Sequence, residues 1–205
     1  MTDPHAKTSY ATGSIQSLVD LVAFPLRCLI SDDANERIGL TSLRHERCAF
    51  TARHCEGRVL DVGCGTNKLA AIRRDVVGVD VFPWPQIDAL VDTTRLPFAD
   101  EAFDTVTLIA CLNHIPRRAE VLPECHRLLK PGGLILLTMI SPLIGNVSHR
   151  LNWWDPDQRE RGMTPGELFG MWNSQVMQLL SDSGFRQVRR RRFLYGLNNL
   201  FLARK

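Results

Sequence analysis

Two glycines one residue apart, Gly63 and Gly65 in VLDVGCGTN, close an apolar run whose single acid is Asp61. A bend without side chains lets backbone approach a ligand, and the amides opening a following helix attract anionic groups. A second acid, Asp80, ends the next apolar run, VVGVDV, where a carboxylate can accept two hydrogen bonds from a ribose diol. A third, Asp92, ends ALVD, where it can meet an adenine amino group. Asp61, beside the bend, suits a ligand that carries a cation, such as the α-amino group of an amino acid.

A dinucleotide fits this arrangement poorly. Lys68 stands where a G-x-G-x-x-G fingerprint has its third glycine, and a pyrophosphate would lie against Asp61. Three carboxylates around one glycine bend describe a nucleoside joined to an amino acid, which points to S-adenosylmethionine.

These residues need a scaffold that places strand ends side by side. From Arg58 onward apolar runs alternate with helical segments: 58–62, 76–81, 89–92, 103–112 and 133–140 read as strands, with helices through Leu69–Arg74 and Arg117–Leu129. The strand runs are apolar on both faces, as in a parallel sheet covered by helices. RQVRRRRFLYGLNNLFLARK reads as two strands joined around Gly196–Asn199. The expectation is a doubly wound, Rossmann-like α/β fold, with a mostly parallel seven-stranded sheet and an antiparallel C-terminal hairpin. Residues 1–57 form a helical extension or cap, and 58–205 the ligand-binding domain. In the extension, Ile15, Leu18, Val22, Leu26 and Leu29 share a helical spacing with a kink at Pro25, and a second helix covers 41–55, capped by Thr41 or Ser42. Residues 141–165 show no clean periodicity, and a helix follows over Pro165–Ser183.

Composition narrows the class. Of 205 residues 44% are hydrophobic and 23% charged, and the net charge of +3 is too mild to argue for nucleic acid. The N-terminal MTDPHAKTSYATGS has no basic start or apolar stretch, and the six cysteines are scattered without a C-x-x-C pair, so a reducing cytoplasm is expected. His45, Cys48, His54 and Cys55 lack zinc-ligand spacing, and no metal is expected. The run RRRR at 189–192 reads as a solvated edge strand. The 14–30 segment reads as a helix closing the ligand cleft, with docking on a membrane surface as the alternative.

VLDVGCGTN, VVGVDVF, DTTRLPFADEAFDTVTLIACLNHI and RLLKPGGLILLT, in this order, resemble the four motifs of class I S-adenosylmethionine-dependent methyltransferases of the type 11 group. The resemblance implies that Asp61, Gly63 and Gly65 hold the methionine end, with Cys64 and Thr66 lending backbone contacts. It further implies Asp80 on the ribose, Val81 and Phe82 beside the adenine, Asp92 and Thr93 at the adenine edge, and Cys111 facing the cofactor near the methyl. VFPWPQIDALV departs from the pattern, with two prolines where a helix is usual, so Trp84 either borders the adenine pocket or covers a flank.

The expected reaction moves a methyl group to an oxygen or nitrogen of a small molecule, glycosylated or lipid-linked, leaving S-adenosylhomocysteine. Such a reaction needs alignment and exclusion of water, and an oxygen acceptor also benefits from a base. His114, after the fourth strand, is the first candidate base, with His149 a rival. Arg150, Trp153 and Trp154, in the least family-like stretch at about 141–165, are candidate acceptor contacts. A nicotinamide-dependent dehydrogenase and a cofactor-binding regulator without turnover are the alternatives.

Overall fold

The computed structural model describes residues 14–92, 94–151, 162 and 164–205. Four helices come first: α1 (Ser14–Val22), α2 (Phe24–Leu29), α3 (Asp32–Arg37) and α4 (Leu43–Ala52). Then follow β1 (Val59–Val62), α5 (Lys68–Ile72), β2 (Val76–Asp80), β3 (Ala89–Leu90) and β4 (Phe103–Ile109). A 3-10 turn (Leu112–His114), α6 (Arg118–Leu128), β5 (Leu129–Ile140), α7 (Pro142–Leu151), α8 (Asn173–Asp182) and the hairpin β6 (Arg186–Phe193) and β7 (Asn198–Arg204) complete the described chain.

The sheet has seven strands in the order β3-β2-β1-β4-β5-β7-β6. The first five pair in parallel, and β7 enters antiparallel between β5 and β6. The fold is therefore the expected Rossmann-like α/β architecture. All four residues of β1 are buried, because helices cover both faces of the sheet. Leu60, Val62, Ile135 and Leu137 pack with Val121, Leu122 and Leu128 of α6 and Val176 and Leu180 of α8. Their alternates point the other way, Val59 towards Cys48 of α4 and Leu69 of α5. Leu134 and Leu136 share that second face with Phe193 and Phe50. Strand order reverses between β1 and β4, which makes a crevice at their carboxyl ends the natural ligand site.

The N-terminal helices reverse the expected amphipathicity. Pro25 sits in the first turn of α2, where its missing N–H costs nothing, and the chain breaks at Ala23 instead of kinking. The stripe of Ile15, Leu18, Val22, Leu26 and Leu29 faces outward, with Ile15 at 80% exposure and Val22 at 77%. The charged side faces in. Asp20 accepts from the Thr41 amide (3.0 Å) and hydroxyl (2.7 Å). Arg27, 1% exposed, donates to the carbonyls of Thr41 (2.8 Å) and Asp20 (3.0 Å), to Tyr195 Oη (3.1 Å) and to Glu46. A buried guanidinium must be paired and hydrogen-bonded, and these contacts fix which face turns inward.

Two further boundaries differ from the sequence expectation. Residues 142–151 are helical, with Gly145 at the crossing where α7 meets the backbone of Phe169 so closely that a Cβ would overlap its carbonyl oxygen. The helix expected from Pro165 begins only at Asn173; residues 164–172 instead run across the ends of β4 and β5. Asn113 and Leu168 exchange two hydrogen bonds of 2.9 Å, and the Met171 amide donates to Ile140 O (3.1 Å).

Candidate active site

The crevice at the switch point is a cavity of about 490 Å³. At one end it is lined by Asp61, Gly63, Cys64, Gly65, Asp80, Val81, Phe82, Trp84 and Cys111, and at the other by Asn113, His114, Ser148, His149, Thr164, Glu167 and Phe169.

The two glycines have different tasks. Both adopt positive φ, +68° at Gly63 and +54° at Gly65. A Cβ on Gly63 would overlap Cys111 Sγ, whereas one on Gly65 would project into open space. Gly63 therefore lets β1 and β4 close together, and Gly65 leaves room for a ligand. The bend offers close approach more than free donors. The amides of Gly63 and Cys64 go to Val79 O (2.8 and 3.1 Å), and that of Gly65 to Asp80 Oδ2 (2.9 Å). Asp80 also accepts from the Phe82 amide through Oδ1 (2.9 Å). It braces the bend, and each carboxylate oxygen keeps a lone pair for a hydroxyl donor.

Asp61 lies beside Thr107 across the β1–β4 register and accepts from its hydroxyl at 2.6 Å. It has no cationic partner among the described residues. Burial pushes its carboxyl up to about 7, partly offset by the Thr107 hydrogen bond and reinforced by the charge of Asp80. A buried acid facing a cavity with no counter-charge is completed by a cationic ligand group. Burial, then Asp61 and Asp80, raise the Cys64 thiol, which keeps it protonated and unreactive.

At the far end His114 Nδ1 stands 3.0 Å from Glu167 Oε2, whose side chain is fully buried. Thr164 Oγ1 donates to the other carboxylate oxygen at 2.6 Å. The pairing with a carboxylate assigns the proton to Nδ1 and leaves Nε2 as the basic nitrogen. The His149 ring lies 5.8 Å from that of His114 and 4.6 Å from Phe169.

Residues 60–137 match the profile of a methyltransferase domain family. Those residues form a methyltransferase domain, on the class I S-adenosylmethionine-dependent methyltransferase fold. It is 32% identical over 129 residues to the methyltransferase GfsG of Streptomyces halstedii, covering 53% of this chain and 45% of that one. To a ubiquinone biosynthesis O-methyltransferase of Idiomarina loihiensis it is 28% identical over 170 residues, covering 67% and 70%. The chain spans about half the length of several of the curated relatives it matches. Its fold superposes on an S-adenosylmethionine-dependent methyltransferase from Thermotoga maritima with a TM-score of 0.61 and 15% identity, over 93% of this chain and 98% of that one.

The residues present fit the family's methyl donor. Gly65 leaves the cradle that a Cβ would fill, Asp61 lacks a cation, and Asp80 holds spare acceptors at the tip of β2. Trp84 is buried and lines the cavity, its ring 4.6 Å from Phe82. Other expected residues are not brought together. Asp92 is outside the cavity lining, its side chain 61% exposed, bound to the Thr94 amide and hydroxyl and paired with Arg117 at 3.3 Å. Thr66 is also outside the lining, and its hydroxyl accepts from Arg44 (3.4 Å). Arg150 is exposed away from the cavity. Thr93, Trp153 and Trp154 lie outside the described residues. Among the described residues no group of three or more His, Cys, Asp or Glu side chains converges as metal ligands would. No described helix is long and apolar enough to cross a membrane.

The sequence reading missed three site residues. Arg44 and Arg47 reach the cavity from α4, and nothing local marks them. Glu167 has a local signal, the T-P-G-E spacing of a helix-capping box, but that pattern points to a helix start and not to a site. Here the Thr164 hydroxyl instead donates to the Glu167 carboxylate and fixes it beside His114.

Proposed function

We propose that this chain transfers a methyl group from S-adenosylmethionine to an oxygen or nitrogen atom of a small-molecule acceptor, with a hydroxyl oxygen favoured. The observation that carries the reading is one continuous cavity joining the Asp61–Gly65–Asp80 tips to the His114–Glu167 pair. In this reading Asp61 takes the α-amino group, Asp80 the ribose hydroxyls, and Val81, Phe82 and Trp84 the adenine. Gly63, Cys64, Gly65 and Cys111 form the wall beside the methionine chain. Residues 1–57 act as a cap, through which Arg44 and Arg47 of α4 complete the wall.

Bound there, the sulfonium supplies an electrophilic methyl group. The protein's task is then to align the acceptor, exclude water and receive a proton. His114 Nε2 takes the hydroxyl proton as the oxygen is methylated, and Glu167 steadies the resulting imidazolium at Nδ1. A neutral amine is nucleophilic enough to be methylated before it loses a proton, whereas a hydroxyl oxygen is a weak nucleophile until its proton is taken, which is why the pair favours oxygen. The resemblance to an O-methyltransferase supports the same choice.

The test is calorimetric titration with S-adenosylmethionine and with NAD, followed by transfer of labelled methyl to matched hydroxyl- and amine-bearing aromatic acceptors. Donor binding with label on hydroxyl acceptors is expected. NAD binding without S-adenosylmethionine binding would sink the reading, and donor binding without label on any acceptor would leave a regulator.

A further inference from the structure

The helices α1 and α2 carry a surface that the methyl-transfer reading does not use. Between Ile15 and Ile30 the only charged residues are Asp20 and Arg27, and both are buried. Apart from Ser17 and Pro25, what remains outward is aliphatic: Ile15, Leu18, Val19, Leu21, Val22 and Leu26 are all exposed. Helix α2 packs against α7. Along α7, Leu143, Val147 and Leu151, spaced four residues apart on one face, are exposed as well. Isolated exposed aliphatics are ordinary, but a concentration on adjacent helices marks a surface meant to be covered.

Charge beside the surface identifies the covering. The tip of the β6–β7 hairpin abuts α2, where Tyr195 meets Phe24 edge-on at 4.7 Å and receives the Arg27 hydrogen bond. Strand β6 leads into that tip with Arg189, Arg190, Arg191 and Arg192, all exposed at the sheet edge and without ion pairs to described residues. Arg189 and Arg191 pair across the ladder with Leu202 and Leu200, which pack with Leu43 and Phe50 of α4. At about 3.3 Å per residue, Arg191 lies roughly 7 Å along β6 from Phe193, where the hairpin tip begins, within one Debye length of about 8 Å in physiological salt. An uncharged aliphatic face flanked by unpaired arginines matches an anionic bilayer surface, into which aliphatic side chains insert while guanidinium groups meet phosphates.

We propose that this chain docks on anionic lipid surfaces through the outer faces of α1, α2 and α7, with Arg189 and Arg191 at the rim. Helix α7 also carries Ser148 and His149 on the cavity wall. Docking therefore sets one wall of the cavity against the bilayer, an arrangement suited to an acceptor with an apolar tail. The binding itself does not depend on the catalytic reading.

The test sediments the full chain with vesicles of pure phosphatidylcholine and of phosphatidylcholine containing phosphatidylglycerol, with its oligomeric state measured in parallel. The chain is expected to pellet with the anionic vesicles, less at high salt. The pair Leu18→Gln and Val22→Gln lowers the partition about tenfold, and Leu143→Gln with Val147→Gln does likewise from α7. Arg189→Ser and Arg191→Ser each reduce the preference for anionic vesicles about fivefold. All four positions of the glutamine variants are exposed, so unchanged thermal melts confirm that they report on docking. No pelleting with either vesicle overturns the proposal. A dimer that Leu18→Gln and Val22→Gln dissolve, with no vesicle binding, overturns it in favour of a second copy of the chain.

Discussion

The two ends of the cavity are built differently. The end around Gly63, Gly65 and Asp80 comes from consecutive strand–turn units, where the sheet register alone brings the groups together. The end around His114 depends on Glu167, which lies 53 residues further along the chain, and on α7 and the 164–172 stretch crossing over it. The first end is a property of the fold, and the second belongs to this chain. Binding of the donor should therefore follow the strand tips, and the rate of transfer should follow the crossing stretch.

The largest expected effect tests the second end. His114→Ala should lower methyl transfer to a hydroxyl acceptor about 1000-fold, within the range for loss of a general base, with donor affinity unchanged by calorimetry. Glu167→Gln should cost less, about tenfold, with Glu167→Asp recovering part of the loss, because its role is to position the imidazole. If both variants reduce donor affinity instead, the division into two ends is wrong.

Asp80→Ala tests the first end. It removes two charge-assisted hydrogen bonds to a ribose and frees the Gly65 amide, and donor affinity should fall about 100-fold at roughly 1.5 kcal/mol per bond. A smaller effect concerns pH. Asp61 keeps its proton until about 7, and an ionised Asp61 is what an ammonium group needs. Donor affinity should therefore rise with pH up to about 7, by as much as tenfold per unit below it. The ligand-free protein should respond in the opposite sense. Because the folded carboxyl is raised above its ordinary 3.8, this residue's contribution to stability is full below that value and is lost as pH climbs through about 7. Melting curves from pH 5 to 8, with and without S-adenosylmethionine, separate the two trends. The smallest effect is at Asp92→Ala. With that residue facing solvent, donor affinity should change less than twofold, and a larger loss would return it to the adenine edge.

The same contrast explains what the sequence disclosed. Gly63, Gly65 and Asp80 were legible because their meaning is local: an apolar run, a bend and an acid at a strand tip suffice. Asp92 carried the same local signature, yet β3 is only two residues long, and beyond it the chain turns outward to Arg117. Glu167 was illegible for the reverse reason, since its local signature matched a helix cap and only distant packing gave it another use. In α1 and α2 the periodicity correctly grouped Ile15, Leu18, Val22, Leu26 and Leu29 on one side. It could not say which side turned inward, because that was decided by Thr41, Glu46 and Tyr195, whose hydrogen bonds hold Asp20 and Arg27.

That last set of contacts also orders events in time. The Arg27 guanidinium finds its phenol 168 residues later, so during synthesis α1 and α2 emerge well before the hairpin that finishes their seat. Until then Arg27 stays hydrated, and its neighbours have no fixed place on the nascent sheet. Of the two segments joined by this contact, the one made earlier thus locks only when the later one arrives.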